Sequence, residues 1–85
     1  MELYYSPRFR RSFKKFSEKF QRQAWKQIDL FQNDSFHPHL KTHKLSVDEL
    51  WAFSIDYKNR IIFSFLDDSR VLLIDIGDHS IYRKI

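Results

Sequence analysis

Three stretches decide the fold of this chain: Leu50-Trp51-Ala52-Phe53-Ser54-Ile55-Asp56, Arg60-Ile61-Ile62-Phe63-Ser64-Phe65 and Arg70-Val71-Leu72-Leu73-Ile74-Asp75-Ile76. Each is short and rich in β-branched and aromatic residues, the composition of a strand. Tyr57-Lys58-Asn59 and Asp67-Asp68-Ser69 read as tight turns between them, and Gly77, the only glycine, ends the last. Consecutive strands joined this tightly form an antiparallel meander. Side chains alternate between faces along a strand. Trp51, Phe53 and Ile55 therefore oppose Ala52, Ser54 and Asp56; Ile61, Phe63 and Phe65 oppose Arg60, Ile62 and Ser64; and Leu72, Ile74 and Ile76 oppose Val71, Leu73 and Asp75. One face is expected to be apolar and packed. The other is mixed, with Ser54, Asp56, Arg60 and Asp75 lining a shallow open surface.

Upstream, the periodicity changes. Phe9, Phe13, Phe16 and Phe20 fall at helical spacing, and Ala24, Ile28 and Phe31 extend the stripe, with Trp25 and Leu30 at its margins. Ser6 followed by Pro7 is a helix start, a side-chain cap followed by a residue with no N–H to satisfy. Ser17 offers a second cap, which divides the run into a helical hairpin; the alternative is one continuous helix from Pro7 to Gln32. Leu3-Tyr4-Tyr5 reads as a short opening strand. Asn33-Asp34-Ser35 breaks the helical pattern, and the segment through Glu49 is read as irregular. The expected class is α+β: an N-terminal strand and a helical hairpin packed on one face of a small, mostly antiparallel sheet.

The 85 residues suffice for one domain with a single modest core, to which nine Phe, four Tyr and two Trp contribute large buried areas. With no cysteine there is neither a disulfide framework nor a thiolate metal site. His37, His39 and His43 lack a helix to hold metal-ligand spacing, so no metal or other cofactor is expected. No apolar run is long enough to span a membrane and the start lacks a signal-peptide pattern, so the expected location is cytoplasmic, with no membrane partner. The net charge of +4 is unevenly spread: residues 1–26 carry eight Lys/Arg against two acids, while residues 27–85 carry seven against nine. A basic half suggests a polyanion-binding surface formed by Arg8, Arg10, Arg11, Lys14, Lys15, Lys19, Arg22 and Lys26, unless these simply solvate the helices.

From Thr42-His43-Lys44-Leu45 through Leu50–Tyr57 and Arg60-Ile61-Ile62-Phe63 to Leu72-Leu73-Ile74-Asp75-Ile76-Gly77-Asp78-His79, the order and spacing resemble the RelE/ParE toxin superfamily, most closely its RelE/StbE and YafQ-like branch. The resemblance covers nearly the whole chain as a single toxin domain. It implies the toxin of a type II toxin–antitoxin system, an endoribonuclease that cuts messenger RNA on the ribosome without metal. The ribose 2′-OH attacks the adjacent phosphate and leaves a 2′,3′-cyclic phosphate. The implied partners are a cognate antitoxin, bound in a hetero-oligomer, together with messenger RNA and ribosomal RNA. ParE members share the fold but poison DNA gyrase, and a degenerate relative that only binds an antitoxin or nucleic acid is a third reading.

That reaction needs a base for the 2′-OH, a cation for the phosphorane and an acid for the 5′-oxygen. By resemblance, Arg60 is the phosphate-stabilising arginine and His79 matches the YafQ-like histidine suited to the leaving group. His43 matches a loop histidine suited to act as base, Asp56 stands for an acidic residue of that branch, and Tyr82 is an aromatic able to stack on a base. Arg60 has an alternative in a salt bridge to Asp75 or Asp56, and Tyr82 in capping the core. Lys41 and Lys44 join the helical cations as RNA- and ribosome-binding residues. RelE itself places lysines on the strand facing RNA, where this chain has Ala52 and Ser54, so the histidine-based branch is the closer pattern.

Overall fold

The structure, a computed structural model, describes residues 1–84. Strand β1 (Glu2–Tyr5) leads into helices α1 (Pro7–Lys14) and α2 (Glu18–Asn33), followed by a 3-10 turn at Pro38–Leu40. Four more strands follow, β2 (His43–Lys44), β3 (Trp51–Ser54), β4 (Arg60–Phe65) and β5 (Arg70–Gly77), and a second 3-10 turn covers His79–Lys84. The sheet runs β1-β5-β4-β3-β2, with β1 parallel to β5 and every other pair antiparallel. This is the expected α+β class. The two-residue strand β2 lies inside the segment read as irregular, because two residues carry no periodic signal.

The helical hairpin forms where the two serines stand. Ser6 Oγ accepts from the Phe9 N–H at 3.0 Å and Ser17 Oγ from the Phe20 N–H at 3.2 Å, so each caps one helix. Gln21 Nε2 donates to the carbonyls of Phe13 (3.1 Å) and Phe16 (3.0 Å), tying α2 back to the end of α1 and the turn that follows it. The continuous-helix alternative is thereby excluded.

The core lies between α2 and one sheet face, where Ala24, Ile28 and Phe31 meet Phe53, Ile61, Phe63 and Leu73. Phe31 stacks on Phe53 at 4.4 Å between centroids and meets the edge of Phe63 at 4.7 Å. Each fully buried ring contributes about 1.5–3 kcal/mol. Of the first stripe only Phe9 is fully buried; Phe13, Phe16 and Phe20 pack half-buried against the core.

The alternation along β5 needs correction. Val71 and Leu73, not Leu72 and Ile74, join the core, and Ile76 joins it as well. Ile62 pairs with Asp75 but Phe63 pairs with Leu73, so Ile74 is an extra residue. This β-bulge shifts the side-chain phase by one position. Asp75 keeps its pairing with Ile62 but does not line an open surface. It is 2% exposed, accepts from Ser12 Oγ at 2.7 Å and from the Ile76 N–H at 2.8 Å, and lies 3.7 Å from Arg8 Nε.

Candidate active site on the far face of the sheet

Ladder partners share a face. On the side away from α2, one row therefore holds His43, Ala52 and Ile62, and the next holds Ser54, Arg60 and Gly77. This face is not left uncovered as expected. Ile81, in the C-terminal turn, lies over Gly77 and is buried, and Ala52 and Ile62 are buried too. The turn thus adds a small apolar layer at one end of the face.

The same fold-back brings Tyr82 within electrostatic reach of Arg60 and sets His79 beside Tyr82. Gly77 stands opposite Arg60, and His79 follows two residues later. The Tyr82 ring sits 5.7 Å from that of His79, centroid to centroid. Burial pushes the Tyr82 phenol above its ordinary range, and the Arg60 charge works in the opposite direction, which sets the guanidinium within electrostatic reach of the ring. Tyr82 therefore stays protonated at neutral pH and can donate a hydrogen bond. Asp78 is anchored by Ser80, whose hydroxyl and N–H hold its carboxyl below the usual range, with Lys58 of the β3–β4 turn and His79 also favouring the charge.

Arg60 forms no salt bridge to Asp75 or Asp56. Its Nη1 donates instead to the carbonyls of Asp56 (2.8 Å), Asn59 (3.0 Å) and Tyr57 (3.2 Å). Among the described residues the Nε and Nη2 edge makes no hydrogen bond, which suits it to an oxyanion. Asp56 organises the same turn. Its Oδ1 accepts from the N–H groups of Lys58 (2.9 Å) and Asn59 (2.7 Å), and both its oxygens receive Asn59 Nδ2. This carboxylate is committed to the turn that holds Arg60.

His43 is exposed, and its Nδ1 lies 2.9 Å from the Lys41 carbonyl. A carbonyl can only accept, so in the neutral ring the proton sits on Nδ1 and Nε2 keeps its lone pair. That tautomer suits a proton acceptor. Two strand spacings and a two-residue offset put the His43 and Arg60 Cα atoms roughly 12 Å apart. Lys41 itself sits in the left-handed region at φ 51°, with its N–H closing the 3-10 turn onto Pro38.

An open cleft of about 360 Å³ lies beside Arg60, lined also by His39, Lys41, Ser54, Asp56 and Tyr57. The sequence marks His39 only in a histidine spacing unsuited to a metal and Tyr57 only as a turn residue, because loop residues this far apart carry no spacing signal for a shared cleft. Gln27 Nε2 donates to the Ser54 carbonyl at 3.2 Å, tying this end of the sheet to α2. There Lys19, Arg22 and Lys26 line a groove of about 520 Å³ together with Gln23 and Gln27. The remaining helical cations divide. Arg10, Arg11, Lys14 and Lys15 are exposed, with Arg10 lying over the Tyr5 ring, whereas Arg8 reaches Asp75. Lys44 is exposed on β2. Among the described residues no cluster of three His, Cys, Asp or Glu could hold a metal, and no helix is long and apolar enough to cross a membrane.

No protein-family model matches the sequence, and no curated protein matches it. Solved structures do. The YoeB/ParE toxin from Agrobacterium tumefaciens superposes with a TM-score of 0.77 at 15% identity, over 93% of this chain and 99% of that one. YafQ from E. coli strain BL21(DE3) gives 0.78 at 15% identity, over 95% and 96%. A chain of the YoeB–YefM complex from Staphylococcus aureus gives 0.74 at 15% identity, over 93% and 97%. The fold is therefore that of the RelE/ParE toxins, including the YafQ-like branch.

Proposed function

We propose that this chain is the toxin of a type II toxin–antitoxin pair and acts as an endoribonuclease on messenger RNA at the ribosome. The observation that supports the reading is the placement of Arg60 opposite Gly77, two residues before His79, with the Tyr82 ring 5.7 Å from that of His79 and within reach of the Arg60 charge. His43 Nε2 takes the proton of the ribose 2′-OH. The freed oxygen attacks phosphorus, the bond from phosphorus to the 5′-oxygen breaks, and His79 delivers a proton to that oxygen. The products are a 2′,3′-cyclic phosphate and a 5′-hydroxyl end. Arg60 binds the non-bridging oxygens through its Nε and Nη2 edge while Nη1 stays fixed to the turn. Asp56 positions that turn. The exposed cations of α1 and α2, with Lys41 and Lys44, supply the electrostatic contact to ribosomal RNA and messenger RNA.

The antitoxin is the second partner. An apolar groove of about 290 Å³ lined by Tyr5, Phe9, Phe13 and Trp25 and rimmed by Arg10 and Lys14 suits an amphipathic acidic segment. The test is induced expression with transcript mapping. Cleavage within reading frames is expected, weakened about 10²–10⁴-fold in His79→Ala. Intact transcripts accompanied by trapped gyrase–DNA breaks would make the protein a gyrase poison instead. Normal growth with neither would leave a binding protein without nuclease activity.

A further inference from the structure

Tyr57 is 96% exposed at the tip of the β3–β4 turn. The other large exposed aromatics are differently placed: Phe36 packs against Trp51 at 5.8 Å, Trp25 against Phe13 at 5.3 Å, and the Tyr4 hydroxyl donates to Glu2 Oε1 at 3.3 Å. Among the described residues Tyr57 touches no other ring, so its ring contributes nothing to the fold. Its backbone is nonetheless held firmly. The Tyr57 carbonyl accepts from Arg60 Nη1 at 3.2 Å, the carbonyl before it accepts at 2.8 Å, and Asp56 Oδ1 takes the next two N–H groups. A bare aromatic ring on a pre-organised turn loses little entropy when it binds. The ring borders the cleft that also contains Lys41, His39 and Arg60, and Lys58 is its chain neighbour. The acid at this cleft, Asp56, already accepts three N–H donors on Oδ1.

We infer that Tyr57 is a stacking platform for one nucleobase of single-stranded RNA, with Lys41 and Arg60 binding the phosphate beside it. An aromatic face next to convergent cations matches the alternation of flat base and anionic phosphate along an unpaired strand. Apart from Tyr57 itself, the cleft's one hydrophobic side chain is the buried Ile55, and its cations favour an anionic partner. The inference rests on the RNA reading above and deepens it: the site selects an unpaired base next to the reacting phosphate.

The test uses the full chain and a labelled single-stranded RNA hexanucleotide with 2′-O-methyl riboses, which supply no 2′-OH and cannot be cut. Binding is followed by fluorescence anisotropy. Tyr57→Ala is expected to weaken binding about 5- to 150-fold, the equivalent of ~1–3 kcal/mol of stacking, while Tyr57→Phe binds as the parent does. An abasic oligonucleotide of the same length should bind parent and Tyr57→Ala alike. Melting temperatures should not change, since the ring is bare. Equal affinity of parent and Tyr57→Ala for the base-bearing strand would overturn the inference, as would an equal loss on the abasic strand. So would a Tyr57→Ala defect confined to antitoxin binding. If the uncleavable strand binds in the Tyr57-dependent way but messenger RNA is never cut, the nuclease reading fails and the stacking site stands.

Discussion

The γ2 methyl of Ile81 lies 2.6 Å from the point where a β-carbon on Gly77 would stand. Glycine is required here for close approach and not for backbone freedom, since no glycine in the chain has a positive φ. Gly77→Ala must push Ile81 away, and with it the turn that carries His79 and Tyr82. We expect a stability loss of about 1–3 kcal/mol by denaturant unfolding, together with a larger proportional loss of RNA cleavage. Ile81→Ala should restore room, so the double variant should cost less than the two single changes added together. Strict additivity would mean that this contact is not what the glycine serves.

Asp75 ties α1 to the bulged strand. Replacing it with Ala leaves the Ser12 hydroxyl and the Ile76 N–H without this acceptor and removes the buried carboxylate beside Arg8. The expected loss is about 2–3 kcal/mol, against about 1 kcal/mol for Ser12→Ala, read from urea midpoints at constant slope. A smaller loss for Asp75→Ala than for Ser12→Ala would contradict the assignment.

Arg60→Lys separates charge from geometry. An ammonium keeps the positive charge but cannot both hold three turn carbonyls and present two parallel donors to a phosphate. Cleavage is expected to fall at least about 10²-fold, within the range seen on removing an oxyanion donor. Chemical shifts of Tyr57 and Asn59 should move as the turn loosens. Unchanged cleavage in this variant would remove Arg60 from the reaction.

Acid should release the C-terminal turn. The Ser80 hydroxyl and N–H lower the Asp78 pKa below its ordinary value of 3.8. A depressed folded-state pKa contributes stability that is present above the unfolded value and is lost as pH falls through the folded one. The Ser80 amide should therefore lose its hydrogen-exchange protection below about pH 3.8, and Asp78→Asn should abolish that step. An acid profile of the Ser80 amide that is the same in the parent and in Asp78→Asn would show that the carboxylate does not hold the turn.

What the sequence determined by itself was local. Ser6 and Ser17 cap the helices next to them, an interaction complete within four residues, so the hairpin was readable along the chain. The phenylalanine spacing and the strand alternation through β3 and β4 were legible for the same reason, since each strand carries its own period. Resemblance in the order of motifs brought Arg60 and His79 together as candidates. Only the tertiary structure decided the rest. The bulge at Ile74 put Val71 and Leu73 on the core face in place of Leu72, while Ile76 kept its expected place and Asp75 was buried by its bond to Ser12 of α1, because register depends on what the neighbouring strand offers and not on β5 alone. Arg60 chose backbone carbonyls over either candidate carboxylate because the β3–β4 turn brings those carbonyls to its side chain. The cover over the far face and the cleft beside Tyr57 likewise depend on how segments distant in sequence fold back on one another, which no periodicity within a segment records.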